Sequence, residues 1–343
     1  MSDPTPILEL KRLSKSFRSS QSVLGRLRGH RAPVLRAVRE VSLTLNSGET
    51  LGIVGESGCG KSTLGRCVTG LHEPDEGDVL YAGRPFFESG TRFERSRAIQ
   101  MIFQDPYSSL NPRMTLAQAL DEVLFVHGLR KGAGERNDRV DELLLTVGLS
   151  PTLKHRLPHA FSGGQRQRVS IARALAVEPR IIVADEPVSA LDASVQAQII
   201  NLFVELRDRL GIAYLFIAHD LNVVRYVSRR IAVMYLGQIV EIADADAIFD
   251  RPCHPYTKAL LSAIPQADPE HRRTTASIEG DLPDPLSPPA GCSFSTRCPL
   301  ANETCRSVPP PARMVEGHVV RCHRAEEVAA MSEPPGTLSR SCW

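Results

Sequence analysis

Short apolar runs and amphipathic stretches alternate along the first two thirds of the chain. Four runs are nearly continuous in apolar side chains: 51–54 (LGIV), 99–103 (IQMIF), 181–184 (IIVA) and 213–218 (AYLFIA). Such runs are typical of parallel strands that are buried on both faces. Between them, residues 116–148 and 194–210 repeat apolar positions with a helical period. The pattern therefore predicts an α/β fold.

Other stretches carry a different pattern. Residues 7–17 and 34–45 alternate apolar and polar positions, which predicts strands with one exposed face. Residues 19–33 are basic and lack a period, so we expect a loop. The polar, glycine-containing residues 131–138 should divide the 116–148 stretch into at least two helices.

A glycine-rich segment follows the first apolar run and fits the pattern G-x-x-x-x-G-K-[ST]. With the next position, it comprises Gly55, Glu56, Ser57, Gly58, Cys59, Gly60, Lys61, Ser62 and Thr63. Glycines let the backbone curl so that its N–H groups point at phosphate oxygens, and a helix over 61–69 would direct its positive end at them. Lys61 would reach the β- and γ-phosphates, and Ser62 would ligate Mg²⁺. We interpret the segment as a P-loop that binds a nucleoside triphosphate.

Four of the predicted strands end in residues suited to phosphate chemistry. These residues are Gly55, Gln104, the pair Asp185 and Glu186, and His219. Because ligands of open α/β sheets lie beyond the carboxyl ends of the strands, we expect these groups to surround one γ-phosphate. Taken singly, Asp185 could cap a helix and His219 could be a core histidine. Phe17 could stack on adenine or be an ordinary core residue.

Composition excludes some classes of protein. The chain has 343 residues, a formal charge of +2, 42% hydrophobic and 23% charged residues. These values are typical of a soluble protein of about two domains, and they give no general attraction to nucleic acid. No apolar run approaches the roughly 18 residues of a membrane span, and MSDPTPILEL lacks a signal-peptide pattern. We therefore expect a cytoplasmic protein whose eight cysteines form no disulfides.

Five motifs in this order resemble those of ABC ATPases over roughly residues 7–250. Besides the P-loop, these are 161–165 (FSGGQ, with Phe in place of Leu of the signature), 181–186 (IIVADE), 189–192 (SALD, the D-loop) and His219. The resemblance implies a P-loop nucleotide-binding domain over 1–250. It would comprise a RecA-like core, an antiparallel β subdomain and a helical signature subdomain at about 105–175.

The resemblance also implies roles for single residues. Asp185 would hold Mg²⁺ through water, and Gln104 would sense the ion, the γ-phosphate and the attacking water. Glu186 would act as the general base, and His219 would hydrogen-bond the γ-phosphate. A partner's ATP would be contacted in trans by the following residues: Ser162, Gly163, Gly164, Gln165 and Asp192.

Three segments narrow the resemblance to oligopeptide and dipeptide importer ATPases, in particular the second subunit of the ATPase pair. They are 103–114 (FQDPYSSLNPRM), 217–221 (IAHDL) and 254–257 (HPYT). The implied partners are another ATPase subunit in a heterodimer, two transmembrane permease subunits and an extracytoplasmic solute-binding protein, with no nucleic acid. The chain would lie peripherally on the cytoplasmic face of the inner membrane. The alternatives are an importer of nickel or another small solute, a non-transport ABC ATPase, and a subunit that does not hydrolyse ATP.

Residues 251–328 differ in composition from the rest, and their second half contains four cysteines: Cys292, Cys298, Cys305 and Cys322. A proline-rich segment buries little apolar surface, so a metal ion or cluster could stabilise it. The spacing of the cysteines fits no standard ferredoxin or zinc-ribbon pattern, which leaves zinc, an iron–sulfur cluster and free thiols as alternatives. The segment 291–299 resembles the C-terminal extension of peptide-importer ATPases, which implies a [4Fe–4S] cluster on these cysteines. His318 and His323 keep zinc as an alternative. We expect a small C-terminal domain, then disorder from about Glu326 with 329–343 as the tail, and we assign no role to Cys253 or Cys342.

Overall fold

The apolar runs form the centre of an eight-stranded sheet in the computed structural model, which describes residues 6–18, 33–105, 110–264 and 281–331. The predicted strands are β3 (Thr50–Val54), β6 (Ile99–Ile102), β7 (Ile181–Asp185) and β8 (Ala213–Ile217). They lie parallel in the order β3-β8-β7-β6. Every residue of β3, β7 and β8 is buried, as expected for strands covered on both faces. The predicted α/β class is confirmed.

Four further strands complete this sheet on the other side of β3. They are β9 (Arg230–Tyr235), β10 (Gln238–Asp244), β11 (Arg313–Val315) and β12 (His318–Val320), in the order β11-β12-β10-β9-β3. Strand β9 is parallel to β3, and the last three strands run antiparallel to their neighbours. The C-terminal extension therefore contributes two strands to the main sheet. The expected division at residue 250 falls within one continuous sheet.

The two alternating stretches form a separate antiparallel sheet. Its strands are β1 (Leu8–Arg18), β2 (Val34–Leu45), β4 (Glu76–Tyr81) and β5 (Arg84–Pro85), in the order β2-β1-β4-β5. Leucines of β1 and β2 share a core with Leu51 and Ile53 of the main sheet. This second sheet therefore covers one face of the P-loop strand, and the antiparallel subdomain implied by the resemblance is present.

Helices cover the main sheet. They are α1 (Lys61–Val68), α2 (Arg92–Ala98), α3 (Leu116–Val126), α4 (Ala133–Thr146), α5 (Gly163–Leu175), α6 (Ala193–Leu210), α7 (Leu221–Val227), α8 (Ala245–Asp250), α9 (Pro255–Ser262), α10 (Glu303–Ser307) and α11 (Ala325–Ala330). The predicted break at 131–138 is misplaced, because α4 already begins at Ala133. The chain turns earlier, at Gly128 with φ of 64°, and Gly132 precedes α4. Gly211 ends α6 with φ of 67°.

The prediction of disorder from about Glu326 onwards is wrong for residues 326–330. Helix α11 covers them, and its Ala325 and Val328 are buried, so apolar contacts hold the segment in place. Residues 332–343, including Cys342, lie outside the described residues, as do 19–32 of the predicted loop and 106–109 of the segment after Gln104. Within the part of the chain that is described, no helix has the length and apolar character needed to cross a membrane.

Candidate active site

The glycine-rich segment forms a tight loop between β3 and α1. Gly55 has φ of 152° and Gly60 has φ of 107°, conformations that residues with a side chain rarely adopt. A Cβ atom at Gly55 would collide with the carbonyl oxygen of Met234, and one at Gly60 with that of Ala37. The loop is therefore enclosed by neighbouring backbone, and both positions require glycine.

Lys61 begins α1 and is buried within the loop. Its Nζ donates hydrogen bonds to the carbonyl oxygens of Gly55 at 2.7 Å and Glu56 at 3.0 Å. Helix α1 lies close to the sheet because Gly65 faces Val183 and Ile217 with no side chain between them. The ammonium group is thus fixed at the carboxyl end of the sheet, where a phosphate would meet it.

Asp185 ends β7 beside the start of α1. The Ser62 hydroxyl donates to its Oδ1 at 2.9 Å. Burial raises the pKa of Asp185, the hydrogen bond from Ser62 opposes that rise, and the neighbouring carboxylate of Glu186 adds to it. A hydroxyl and a carboxylate are ligands that Mg²⁺ prefers, and a cation would relieve the cost of the buried charge. This pair is the candidate metal-binding group.

Glu186 lies at the centre of three side chains. Its Oε2 accepts hydrogen bonds from Gln104 Nε2 and His219 Nδ1, each at 3.2 Å. Its backbone has φ of 47°, in the left-handed region that a glutamate rarely occupies, and its N–H donates to the Ile217 oxygen at 2.9 Å. The ends of β6, β7 and β8 therefore bring together the three side chains expected around a γ-phosphate.

A cleft of about 310 Å³ opens above these groups. Its lining includes residues 57–63 of the loop, Gln104 and Glu186, together with Phe17, Arg36 and Ala37 of the antiparallel sheet. Phe17 is half-buried at the edge of the cleft, and its ring meets His72 at 5.4 Å in an edge-on arrangement. Phe17 therefore lies where an aromatic base could contact it. The sequence alone left open whether Phe17 stacks on adenine or is an ordinary core residue.

The signature and D-loop residues form one surface outside the cleft. Ser162 caps α5: its Oγ accepts from the Gln165 N–H at 3.3 Å, and Gln165 Oε1 accepts from the Ser162 N–H at 3.1 Å. Gly163 faces Leu191, and a Cβ atom at Gly164 would collide with Val195 of α6. Asp192, just before α6, is exposed. Within the described residues, this group does not line the nucleotide cleft of its own chain.

The four cysteines of the extension converge. Cys292, Cys298, Cys305 and Cys322 line one small cavity, together with His254 and His323 among others. The Cys292 N–H donates to the Cys305 oxygen at 2.8 Å, so the turn that begins at Cys292 is joined to helix α10. Burial raises the pKa of Cys292 to about 11 and that of Cys322 to about 12, with the other cysteines adding to both shifts.

His318 belongs to a different buried group, which sequence reasoning missed. Its Nδ1 lies 2.7 Å from Glu241 Oε1, and the ligand atoms of Glu241, Cys253 and His318 lie within 4.8 Å of one another. The Glu241 carboxylate also accepts the N–H groups of Cys253 at 2.7 Å and His254 at 3.1 Å. A glutamate in the middle of an apolar strand was the only signal in the sequence. Because its oxygens have partners, we interpret the group as structural.

Comparisons with known proteins identify the families that this chain resembles. The ABC transporter family model matches residues 38–189, and the model for the oligopeptide/dipeptide transporter C-terminal region matches 240–305. The probable peptide ABC transporter ATP-binding protein y4tS of Sinorhizobium fredii is 50% identical over 90% of this chain and 88% of its own. The putative oligopeptide transport ATP-binding protein YkfD of Bacillus subtilis is 48% identical over 93% of this chain and 95% of its own.

Solved structures extend the agreement to the fold. A dimeric post-hydrolysis state of the ATP-binding cassette MJ0796, bound to ADP and Pi, superposes with a TM-score of 0.59 at 29% identity. It covers 69% of this chain and 98% of the cassette. The chain belongs to the family of ATP-binding subunits of oligopeptide and dipeptide ABC transporters.

Proposed function

We propose that this chain hydrolyses ATP to power the import of di- and oligopeptides through a membrane ABC transporter. One observation carries the hydrolytic part: Glu186 is held between Gln104 and His219, beside the cleft that contains Lys61 and Ser62. The peptide cargo rests on the two relatives and on the match of residues 240–305.

Each side chain of the cleft has a separate role in the proposed hydrolysis. Lys61 and the loop amides bind and orient the phosphates, and Phe17 contacts the adenine ring. Ser62, Asp185 and Gln104 would hold Mg²⁺, which supplies charge neutralisation on the phosphate oxygens. Glu186 accepts the proton of the attacking water, while His219 and Gln104 orient its carboxylate. Catalysis then rests mainly on positioning and on electrostatic stabilisation.

We infer that two ATPase subunits assemble head to tail. Ser162, Gly163, Gly164 and Gln165 with Asp192 lie outside the cleft of their own chain, so they are free to contact ATP on a partner. The arrangement gives two composite sites per pair. The partner is a related second ATPase subunit, which makes the pair a heterodimer.

The permease subunits would contact an apolar surface of the helical region. Phe93 on α2 and Phe125 and Val126 on α3 are exposed to 56%, 68% and 52% of their areas. Phe93 contacts His127 with ring centroids 5.7 Å apart, so the ends of the two helices adjoin. Exposed apolar clusters of this kind mark interaction sites. The chain would bind there from the cytoplasmic face of the inner membrane, and an extracytoplasmic binding protein would deliver the peptide.

We propose that the four cysteines hold a [4Fe–4S] cluster rather than a zinc ion. Zinc needs thiolates about 2.3 Å from the ion and hence roughly 3.8 Å from one another. All four cysteines are described, yet no three of their sulfurs lie mutually within 4.8 Å. His254 lines the cavity, and its buried Nε2 has no partner among the described residues. His254 Nδ1 accepts the Tyr256 N–H at 3.1 Å, and burial lowers the pKa of His254 to about 4. The neutral ring therefore carries its proton on Nε2, where a cluster sulfur could accept it.

Uptake of labelled peptides tests the proposed cargo. Cells that lack the native gene would carry the wild-type chain or Glu186→Gln, and we expect wild-type cells alone to accumulate di- and oligopeptides. Uptake of labelled nickel is measured in parallel. Accumulation of nickel but not of peptides in cells with the wild-type chain would overturn the peptide assignment while keeping the transporter.

Iron analysis and absorbance of anaerobically purified protein test the proposed cluster. Protein that contains only zinc, or only free thiols, would contradict the [4Fe–4S] assignment.

A further inference from the structure

Glu56 of the P-loop is held by two residues from the C-terminal extension. The Glu56 N–H donates to the hydroxyl oxygen of Tyr256 at 2.9 Å. Arg297 Nη1 donates to both carboxylate oxygens of Glu56, at 2.9 Å and 3.2 Å. The Arg297 side chain is only 8% exposed, so water weakens this ion pair less than one on the surface. The extension therefore forms hydrogen bonds to both the backbone and the side chain of one loop residue.

Tyr256 and Arg297 are themselves held in place by packing and hydrogen bonds. Tyr256 lies in α9, and its ring packs on Tyr235 at 4.6 Å and on Phe294 at 5.4 Å. Arg297 follows Phe294 in the turn between Cys292 and Cys298, and its N–H donates to the Phe294 oxygen at 3.0 Å. Its guanidinium also reaches the Tyr235 hydroxyl at 3.4 Å. The contacts therefore connect the four-cysteine turn to the P-loop through packed aromatic rings.

Glu56 also supports the residue that meets the phosphates. Its carbonyl oxygen accepts a hydrogen bond from Lys61 Nζ at 3.0 Å. A shift of the Glu56 peptide would therefore move the Lys61 ammonium and the amides that follow it. Because phosphate binding depends on the exact direction of these donors, a small displacement is sufficient to weaken ATP binding.

We propose that Tyr256 and Arg297 are positioning residues for ATP, and that the C-terminal extension holds the P-loop in its binding conformation. The inference rests on the proposed ATPase function and adds a role for the extension within it. Neither residue lines the nucleotide cleft, so each would act through Glu56. The extension is therefore part of the nucleotide site's support as well as of the sheet.

The test compares Arg297→Gln and Tyr256→Phe with wild type in the assembled transporter. We expect the KM for ATP and the Kd for a non-hydrolysable ATP analogue to rise about tenfold in Arg297→Gln, with kcat changed by less than about twofold. Tyr256→Phe, which keeps the ring and removes the hydroxyl, should raise both constants by about threefold. Arg297→Lys keeps the charge and should recover part of the loss.

Matched controls come from the same molecule. Arg324→Gln removes an arginine of the extension that pairs with Glu327 and bonds the Leu300 oxygen. Tyr214→Phe removes a buried hydroxyl that has no partner within the described residues. Both should leave the KM for ATP unchanged. In a double-mutant cycle, Arg297→Gln should have no further effect once Glu56→Gln is present.

The outcomes separate the two proposals. If the wild-type transporter does not bind ATP, the proposed function fails. If it binds ATP and Arg297→Gln and Tyr256→Phe match their controls in KM and Kd, the positioning role is wrong. A lowered Tm with an unchanged KM would assign both residues a purely structural role and would also overturn the inference.

Discussion

At the scale of the residue, two neighbouring positions of the site are energetically unfavourable. Glu186 keeps a left-handed backbone that glutamate disfavours, and Asp185 keeps a buried carboxylate whose pKa is raised. Asp185 is the last residue of β7 and Glu186 follows it directly, so the strand sets the positions of both. The end of β7 therefore combines backbone strain with unfavourable solvation at the place where the proposed γ-phosphate and Mg²⁺ would bind.

Glu186→Gln should abolish turnover and leave ATP binding intact. The amide cannot accept a proton from water, and loss of a general base reduces rates by about 10²–10⁴-fold. ATP turnover by the assembled transporter and binding of labelled ATP are the two measurements. Glu205→Gln is the control, because Glu205 pairs only with Arg209 on the exposed face of α6 among the described contacts. Unchanged turnover in Glu186→Gln would remove Glu186 as the base.

Asp185→Asn should stabilise the nucleotide-free protein while it lowers Mg²⁺-dependent hydrolysis. Because burial raises the folded pKa of Asp185, folding favours its protonated form, and this advantage is lost as pH rises through the folded pKa. At neutral pH the ionised carboxylate therefore lowers the Tm, whereas asparagine stays neutral. The Tm difference between variant and wild type should narrow as the pH becomes acidic. A wild type with the higher Tm at neutral pH would contradict the assignment.

At the scale of the element, continuous apolar runs predict four of the five parallel strands, β3, β6, β7 and β8. The fifth, β9, is missed although its residues 231–235 are apolar and buried, and the antiparallel strands β10 to β12 are not predicted either. The short strands β11 and β12 span three residues each and lie in proline-rich surroundings, so their pairing depends on β10 rather than on a pattern of their own. Similarly, the grouping of Gln104, Glu186 and His219 could be expected from strand ends. The hydrogen bonds from Tyr256 and Arg297 to Glu56 could not be predicted, because only the folded extension brings these residues close to the P-loop.

His318 should be essential for the added strands. It joins β12 to β10 through Glu241, and both side chains are almost fully buried. His318→Ala leaves the buried Glu241 carboxylate without one of its hydrogen-bond partners, which costs about 1–3 kcal/mol. Chemical denaturation of the purified subunit measures the loss. His323→Ala, which removes a ring bonded to the Val308 oxygen at a more exposed site, should cost much less. Equal losses would refute the structural role of the Glu241 pair.

At the scale of the whole molecule, one sheet connects all the parts that handle the nucleotide. Strand β3 lies in the middle of it, with the catalytic strand ends on one side and the strands of the extension on the other. The antiparallel sheet packs on the same strand through Leu51 and Ile53. The signature residues do not line the cleft of their own chain, and in the proposed pair they would complete the site of the second subunit.

The last prediction tests both the trans arrangement and the identity of that second subunit. In a heterodimer with two composite sites, Lys61→Ala removes the site on this chain's P-loop, and Ser162→Arg removes the site on the partner's P-loop. Each single variant should retain about one bound ATP per pair, and the double variant about none. Thr115→Arg is the control, because Thr115 forms the same capping box with Gln118 on α3 but lies outside the signature.

Bound nucleotide per purified pair, trapped with a non-hydrolysable ATP analogue, gives the answer. If the double variant retains as much nucleotide as either single variant, both residues serve one site, and the signature acts in cis. If Lys61→Ala alone removes all bound nucleotide, the two P-loops are copies of the same chain and the pair is a homodimer. Only the stepwise loss from two sites to one and then to none fits a heterodimer in which Ser162 contacts the ATP held by its partner.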